Sequence, residues 1–233
     1  VHIYGHPADL AELLEVCREF ELPLVEDAAE SLGSWYRDRP AGSFGRIAAL
    51  SFNGNKIVTT GGGGALLTDD VALADRAKHL TTTAKQAHVW RFDHDMVGWN
   101  YRLPNINAAL GCAQLEQLPD FVAQKRALAH RYAEEFADHP YVEFVHEPPG
   151  SRSNYWLSSL MLKSRDLPLS AILTELHGVG IAARPAWTPM HRLPMYAAAP
   201  RADLRVAEDL ADRLINLPSG IKVARALRGP LEA

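Results

Sequence analysis

The sequence has 233 residues, of which 47% are hydrophobic and 22% are charged, and its formal net charge is −4. These values are ordinary for a globular protein with a sizeable core, and they exclude the strongly basic surface that general nucleic-acid binding requires. No apolar run approaches the roughly 20 residues that a membrane-spanning helix needs. Cys17 and Cys112 stand alone, so we expect reduced thiols in a cytoplasmic protein and neither a disulfide framework nor a zinc site.

Apolar runs and helical periodicity alternate through the first 138 residues. The predicted elements are a strand and turn over 1–5, a helix over 7–20, strands over 22–25, 47–52 and 65–68, a helix over 71–80, and two helices over 105–117 and 119–138. The polar and aromatic stretch 81–102 is too long for a simple connection and is a candidate functional loop. Strands that alternate with helices predict an α/β layer fold.

The character of the sequence changes after His139 and Pro140. The elements predicted beyond this point are strands over 141–145 and 156–162, a helix over 169–177, a proline-rich aromatic loop over 184–196, and a last clear helix over 207–214. We therefore predict a domain boundary near residue 139, with a smaller α+β domain over residues 140–233.

The motif Ser-Phe-Asn-Gly-Asn-Lys at residues 51–56, followed by four glycines at 61–64, suits a cofactor that carries an aldehyde and a phosphate. A serine hydroxyl can hydrogen-bond the phosphate, and the lysine amine can form a Schiff base with the aldehyde. Glycines let the backbone approach a ligand closely. The alternative is that Lys56 is a solvated surface lysine before a glycine-rich turn.

Glu26 and Asp27 close the predicted strand over 22–25, at the edge of the sheet where ligands of α/β proteins bind. A pyridoxal phosphate site needs a carboxylate there to keep the ring nitrogen protonated. Ala28 and Ala29 would leave room for the flat ring. The alternative is an ordinary helix-capping or turn aspartate.

Three segments in order resemble the signatures of one family, the DegT/StrS-type sugar aminotransferases. These segments are residues 26–34, 51–64 and 98–109, and residues 184–191 and 207–210 resemble the small-domain motifs of the same family. Its members are pyridoxal phosphate enzymes that act on nucleotide-linked keto sugars. The Asn-Gly-Asn-Lys version of the lysine motif looks most like the branch that makes 4-amino sugars for surface polysaccharides and for nonulosonic acids such as legionaminic acid, with perosamine synthases as neighbours.

The resemblance implies a role for each cofactor-binding position. Lys56 would hold the cofactor as a Schiff base and then carry a proton between substrate and cofactor. Asp27 would pair with the pyridinium nitrogen, Ser51 would bind the phosphate, and Glu30 would lie beside the ring. Asn53 is close enough in sequence to contact the phosphate or the carboxylate of the amino donor.

The resemblance also implies contacts beyond one cofactor site. Asn100 would reach the phosphate of the neighbouring subunit's cofactor, which implies a homodimer. Arg102, Arg184 and His191 would lie around the substrate or the donor's carboxylates. The alternatives are a salt bridge at a helix entry for Arg102 and a packed loop histidine for His191.

The implied fold is the pyridoxal phosphate-dependent transferase fold type I, with residues 1–139 as the C-terminal part of the large domain and an incomplete large-domain sheet. Family members carry a substantial segment before the position that matches Val1. We expect no metal site, because His88 and His94 lack the spacing of metal-binding motifs.

The implied activity is transfer of an amino group, from glutamate, to C4 of a nucleotide-linked 4-keto-6-deoxy sugar. One alternative is a truncated, non-catalytic fragment that acts as a partner-binding subunit. Another is a phosphate- or nucleotide-binding module built on residues 61–64, with Lys56 as a phosphate ligand. A related dehydratase branch is disfavoured because its members have histidine at the position of Lys56.

Overall fold

The structure is a computed structural model, and it describes residues 1–227. The helices are α1 Leu10–Glu19, α2 Val71–Thr81, α3 Asn105–Leu115, α4 Leu118–Glu135, α5 Leu169–Gly178, α6 Arg205–Arg213 and α7 Ile221–Leu227. The strands are β1 Val25–Asp27, β2 Trp35–Tyr36, β3 Arg39–Pro40, β4 Ile47–Ser51, β5 Gly64–Leu67, β6 Val142–Phe144, β7 Ser151–Arg152, β8 Ser158–Leu162, β9 Arg184–Pro185 and β10 Leu214–Leu217. None of the helices in this part of the chain is long and apolar enough to cross a bilayer.

The chain divides into two compact units. The first contains Val1–Ala123 and the returning segment Glu147–Trp156, and the second contains Gln124–His146 and the described chain from Leu157 onward. The change from one unit to the other falls inside α4, and the segment that returns to the first unit supplies β7. The sequence-based boundary near residue 139 stays a prediction about domains.

A three-stranded sheet in the first unit has the strand order β1-β4-β5. β1 runs parallel to β4, with Asp27 opposite Ala49, and β5 runs antiparallel to β4, with Gly64 opposite Ser51. The carboxyl ends of two parallel strands meet at one edge of a sheet. This register therefore places Asp27, Ser51 and the glycine turn before Gly64 at the same edge.

The second unit is built on a four-stranded antiparallel sheet of order β6-β8-β10-β9. Every residue of β8 and of β10 is buried, which makes these two strands the centre of the unit's core. β8 was predicted from its apolar run. β10 was not predicted, because Leu-Ile-Asn-Leu follows α6 without a turn signal in the sequence.

Two sequence predictions of elements are wrong. The strand and turn predicted over 1–5 is a short 3-10 turn at Ile3–Gly5, because Tyr4 and Gly5 have φ of 57° and 94° in the left-handed region. The helix predicted over 207–214 is present as α6 but is not the last one, since β10 and α7 follow it. The other predicted strands and helices are present within a few residues of their predicted bounds.

Candidate active site

Lys56 lies in a turn that follows β4. Its backbone N–H donates to the carbonyl of Asn53 at 3.0 Å, and its side chain is only 13% exposed. The amine Nζ lies 3.4 Å from Oε1 of Glu30 and 4.1 Å from the centroid of the Trp156 ring. Lys56 is therefore not the solvated surface lysine of the alternative interpretation.

Glu30 lies between the lysine amine and the backbone of the first turn. Its Oε2 accepts the N–H of Tyr4 at 2.7 Å, while Oε1 faces Lys56. Burial raises the pKa of Glu30, the bond from Tyr4 and the charge of Lys56 oppose that rise, and the charge of Asp27 adds to it. The net shift of the pKa is upward, so the Lys56 ammonium partly compensates a carboxylate in an unfavourable environment.

Asp27 is the exposed last residue of β1. Its Oδ1 accepts the N–H of Ala29 at 3.1 Å, which is the turn contact that the alternative interpretation predicted. Its charge also acts on Glu30 and contributes to raising the pKa of that carboxyl. Ala28 is fully buried.

The segment after β4 combines small side chains with exposed hydrogen-bonding groups. Ser51 Oγ accepts the N–H of Asn53 at 3.3 Å, and the Asn53 amide donates to Asn55 Oδ1 at 3.1 Å. Gly63 has a φ of 99°, and a Cβ at Gly64 would lie 2.3 Å from the Leu50 carbonyl. Glycine is required at both positions, for backbone conformation at one and for space at the other.

Asn100 and Arg102 lie together in the irregular segment over 82–104. Arg102 donates from Nη1 to Asn100 Oδ1 at 3.3 Å and from Nη2 to the Thr82 carbonyl at 3.2 Å. Both side chains are exposed. Among the contacts of residues 1–227, none joins this pair to Lys56 or Glu30.

A cavity of about 820 Å³ opens beside this segment. Its lining includes Gly62 to Leu66, Lys78, Tyr101 to Pro104 and Asn107. Neither Lys56 nor Glu30 lines it. The cavity therefore flanks the glycine turn and Arg102 and is separate from the surroundings of the amine.

Arg184 and His191 belong to the second compact unit. Arg184 is exposed in β9, opposite Asn216 of β10. His191 Nε2 lies 2.7 Å from Glu208 Oε1, and its side chain is 12% exposed. The contacts of His191 agree with the alternative interpretation, a histidine packed in a loop.

Sequence reasoning missed two residues that contact Lys56 or its partner Glu30. Trp156 contacts Lys56 directly, and Asn154 is fully buried and donates to the carbonyls of Glu30 and Leu32 at 2.8 and 2.9 Å. The sequence treated Trp156 as the first residue of a strand. No local pattern indicates a contact between residues 100 positions apart.

The fold and this site together define a class, the pyridoxal phosphate-dependent transferases of fold type I. Residues 1–226 match the model of the DegT/DnrJ/EryC1/StrS aminotransferase family, and the chain belongs to that family. This confirms the family and the fold class predicted from the sequence motifs. Pyridoxal phosphate is the cofactor that this membership assigns.

Individual relatives support the same placement. The chain is 39% identical to EpsN of Bacillus subtilis strain 168, whose name assigns it to the pyridoxal phosphate-dependent aminotransferases, over 98% of this chain and 60% of EpsN. It is 38% identical to the GDP-perosamine synthase of Escherichia coli O157:H7, over 94% of this chain and 59% of that enzyme. The chain thus spans about 60% of the length of these relatives.

The fold has a close structural counterpart. PseC of Helicobacter pylori, an aminotransferase involved in the biosynthesis of pseudoaminic acid, superimposes with a TM-score of 0.91 at 25% identity, covering 97% of this chain and 62% of PseC.

The residues at the edge of the β1-β4-β5 sheet fit pyridoxal phosphate by their chemistry. Lys56 offers a largely buried amine, and Asp27 offers an exposed carboxylate at the end of a neighbouring strand. Ser51 and the glycine turn offer a hydroxyl and closely approachable backbone. An aldehyde, a ring nitrogen and a phosphate are the three groups that such a set can bind.

Proposed function

We propose that this chain takes part in a pyridoxal phosphate-dependent transfer of an amino group from glutamate to C4 of a nucleotide-linked 4-keto-6-deoxy sugar. The observation that carries this proposal is the Lys56 amine, held beside Glu30 and Trp156 in a chain of the DegT/DnrJ/EryC1/StrS family. The similarity to a GDP-perosamine synthase supports a nucleotide sugar as the acceptor.

Lys56 has two tasks in this proposal. Bound pyridoxal phosphate supplies an electron sink for the carbon that loses a proton. Lys56 Nζ would hold the cofactor at its aldehyde group and would carry a proton to and from the substrate carbon. The side chain's low exposure keeps bulk water from competing for that proton.

Asp27 and Ser51 hold the ends of the ring system. The Asp27 carboxylate would pair with the ring nitrogen, and the Ser51 hydroxyl with the neighbouring backbone would bind the phosphate. Glu30 would lie beside the ring, and the 3.4 Å between its carboxylate and Lys56 Nζ supports this position. Asn53, which is exposed near Ser51, contacts the phosphate or the donor's carboxylate.

The remaining site residues bind substrate and partner. Arg102, Arg184 and His191 contact the nucleotide sugar or the donor's carboxylates. Asn100 reaches the cofactor phosphate of a second copy of this chain, so the active form is a homodimer. The exposed apolar side chains that lie near Asn100 in the sequence support this assembly, and they include Val89, Trp90, Phe92 and Val97.

The expected cytoplasmic location stays a prediction, and the two free cysteines support it.

An absorbance spectrum with added pyridoxal phosphate tests the proposal. We expect a visible band from the Schiff base, which borohydride fixes onto the peptide that contains Lys56, and loss of the band on addition of glutamate. Lys56→Ala should abolish the fixed label and lower transamination by at least about 10²- to 10⁴-fold, the range of proton-transfer catalysis alone.

Lys222→Ala is the matched control, because Lys222 is exposed on α7. It should leave both the label and the band unchanged. A protein that binds phosphate compounds without a visible band would contradict the proposal and favour the phosphate-binding module.

A further inference from the structure

One aromatic side chain contacts both Lys56 and the residue before it. The Trp156 indole N–H donates to the Asn55 carbonyl at 2.8 Å, and the face of the same ring lies 4.1 Å from Lys56 Nζ. The first contact fixes the backbone from which the lysine side chain starts. The second attracts the ammonium at the end of that side chain.

The backbone of Trp156 is itself held by a buried polar side chain. Asn154 Oδ1 accepts the backbone N–H of Trp156 at 2.7 Å, and Asn154 Nδ2 donates to the Glu30 and Leu32 carbonyls. Asn154 has no exposed surface, and Trp156 is 5% exposed. One asparagine therefore fixes the backbone of the two residues whose side chains flank the amine, Trp156 and Glu30.

The turn at Gly5 also restrains the segment that contains Asn154. The Gly5 carbonyl accepts the hydroxyls of Ser34 and Ser153 at 2.7 and 2.9 Å. A Cβ at Gly5 would lie 1.9 Å from Asn154 Oδ1, and the φ of Gly5 is 94°. Space and backbone conformation both require glycine there, so the position of Asn154 is set on two sides.

We propose that Trp156 is the positioning residue for the Lys56 amine: its ring face and the Glu30 carboxylate hold Nζ in one place, and its indole N–H fixes the lysine backbone. That this amine binds a cofactor rests on the proposed function. That Trp156 holds the amine in place rests only on the contacts of Trp156 with Asn55 and Lys56. Trp156 therefore controls how readily Lys56 reacts with an aldehyde.

Labelling with acetaldehyde and cyanoborohydride tests this role without the cofactor. The rate of ethylation at Lys56 is measured by peptide mass spectrometry relative to exposed Lys222 in the same digest. Trp156→Leu should raise the relative rate at Lys56 between about 2-fold and about 30-fold, which corresponds to the loss of a cation–π contact. Trp156→Phe keeps a ring face and should return the rate to within about 3-fold of the wild type.

Two further measurements separate positioning from loss of structure. Lys125 is 5% exposed in the second unit and should stay unlabelled in every variant. Equal rates for the leucine and phenylalanine variants, or a Lys56 rate unchanged by Trp156→Leu, would overturn the proposal. A Trp156 effect in a protein that gives no visible band with pyridoxal phosphate would support the positioning role and contradict only the proposed function.

Discussion

Two stretches of the chain carry the predicted cofactor contacts. They differ in how many hydrogen bonds hold the residues around the predicted contact. The backbone and side chains around Lys56, which we call the buried stretch, are held by hydrogen bonds from Tyr4, Asn154 and Trp156. The stretch around Asn100, the exposed loop over 82–104, holds its arginine and asparagine only against each other and Thr82, with large apolar side chains in solvent. The buried stretch is therefore preorganised within one copy, whereas the exposed loop is where the proposed homodimer would add contacts.

Glu26, which precedes Asp27 in β1, should show the largest effect on stability, because it anchors His2 and the loop over 42–45. Its carboxylate accepts bonds from the backbone N–H groups of Gly42, Phe44 and Gly45 and lies 2.9 Å from His2 Nε2. Glu26→Gln removes the charge and places an amide N–H₂ against these donors. We expect the free energy of unfolding to fall by about 3 kcal/mol, measured by urea denaturation at pH 7.

Acid should weaken the same anchor. Burial by itself raises the pKa of Glu26, but the hydrogen bonds outweigh it and lower the pKa to about 2, from 4.5. The stabilisation is therefore complete above pH 4.5 and is lost as the pH falls toward 2. Glu15→Gln, at an exposed position of α1, is the control and should change stability by less than about 0.5 kcal/mol.

His6 should make the buried stretch sensitive to milder acid. Burial lowers the pKa of His6 to about 4, against the opposing charge of Glu147, and neither ring nitrogen has a hydrogen-bond partner. Between pH 6.5 and 4 the unfolded chain gains a proton that the folded chain does not, so stability falls with pH by about 3 kcal/mol.

His6→Phe keeps a ring edge-on to Tyr155, whose centroid lies 5.2 Å away, and cannot gain a proton. It should remove most of the loss of stability between pH 7 and pH 4.5 in urea denaturation. His88→Phe, in the exposed loop, should leave the loss in place. An equal loss in both variants would refute the assignment to His6.

Gly5→Ala tests whether the buried stretch depends on a close approach of backbone and side chain. The φ of 94° and the clash with Asn154 Oδ1 should lower the free energy of unfolding by about 1 to 3 kcal/mol. The displaced Asn154 should also raise acetaldehyde labelling at Lys56. Gly178→Ala meets no atom within 4 Å at the end of α5 and should be neutral or stabilising by up to about 1 kcal/mol.

The exposed loop should show the smallest effect on stability. Trp90→Ser with Phe92→Ser should change the free energy of unfolding by less than about 0.5 kcal/mol, because both side chains are about three-quarters exposed. The same variant should shift the protein from dimer toward monomer in sedimentation velocity. Val206→Ser, at an equally exposed position of α6, is the control. A monomeric wild type, or unaltered association in the loop variant, would contradict the proposed dimer.

The sequence predicted the part of the site that lies within a few residues of a strand end. Asp27, Ser51 and Lys56 were found because an apolar run, a motif and a glycine turn stand next to one another in the chain. Trp156 and Tyr4 were not found, because their contacts depend on left-handed turns at Tyr4, Gly5 and Tyr155 that carry no periodic signal. The short strands β2, β3 and β7 were missed for a related reason, since two-residue strands are too short to show alternation.

The return of residues 147–156 to the first unit has a consequence for folding kinetics. Trp156 meets the Asn55 carbonyl across 101 positions of sequence, and closing a loop of that length costs about 4 kcal/mol of chain entropy before any contact offsets it. During synthesis the ribosome releases the lysine long before the tryptophan that holds it. The amine therefore becomes ordered late, and until then it is open to any aldehyde in its surroundings.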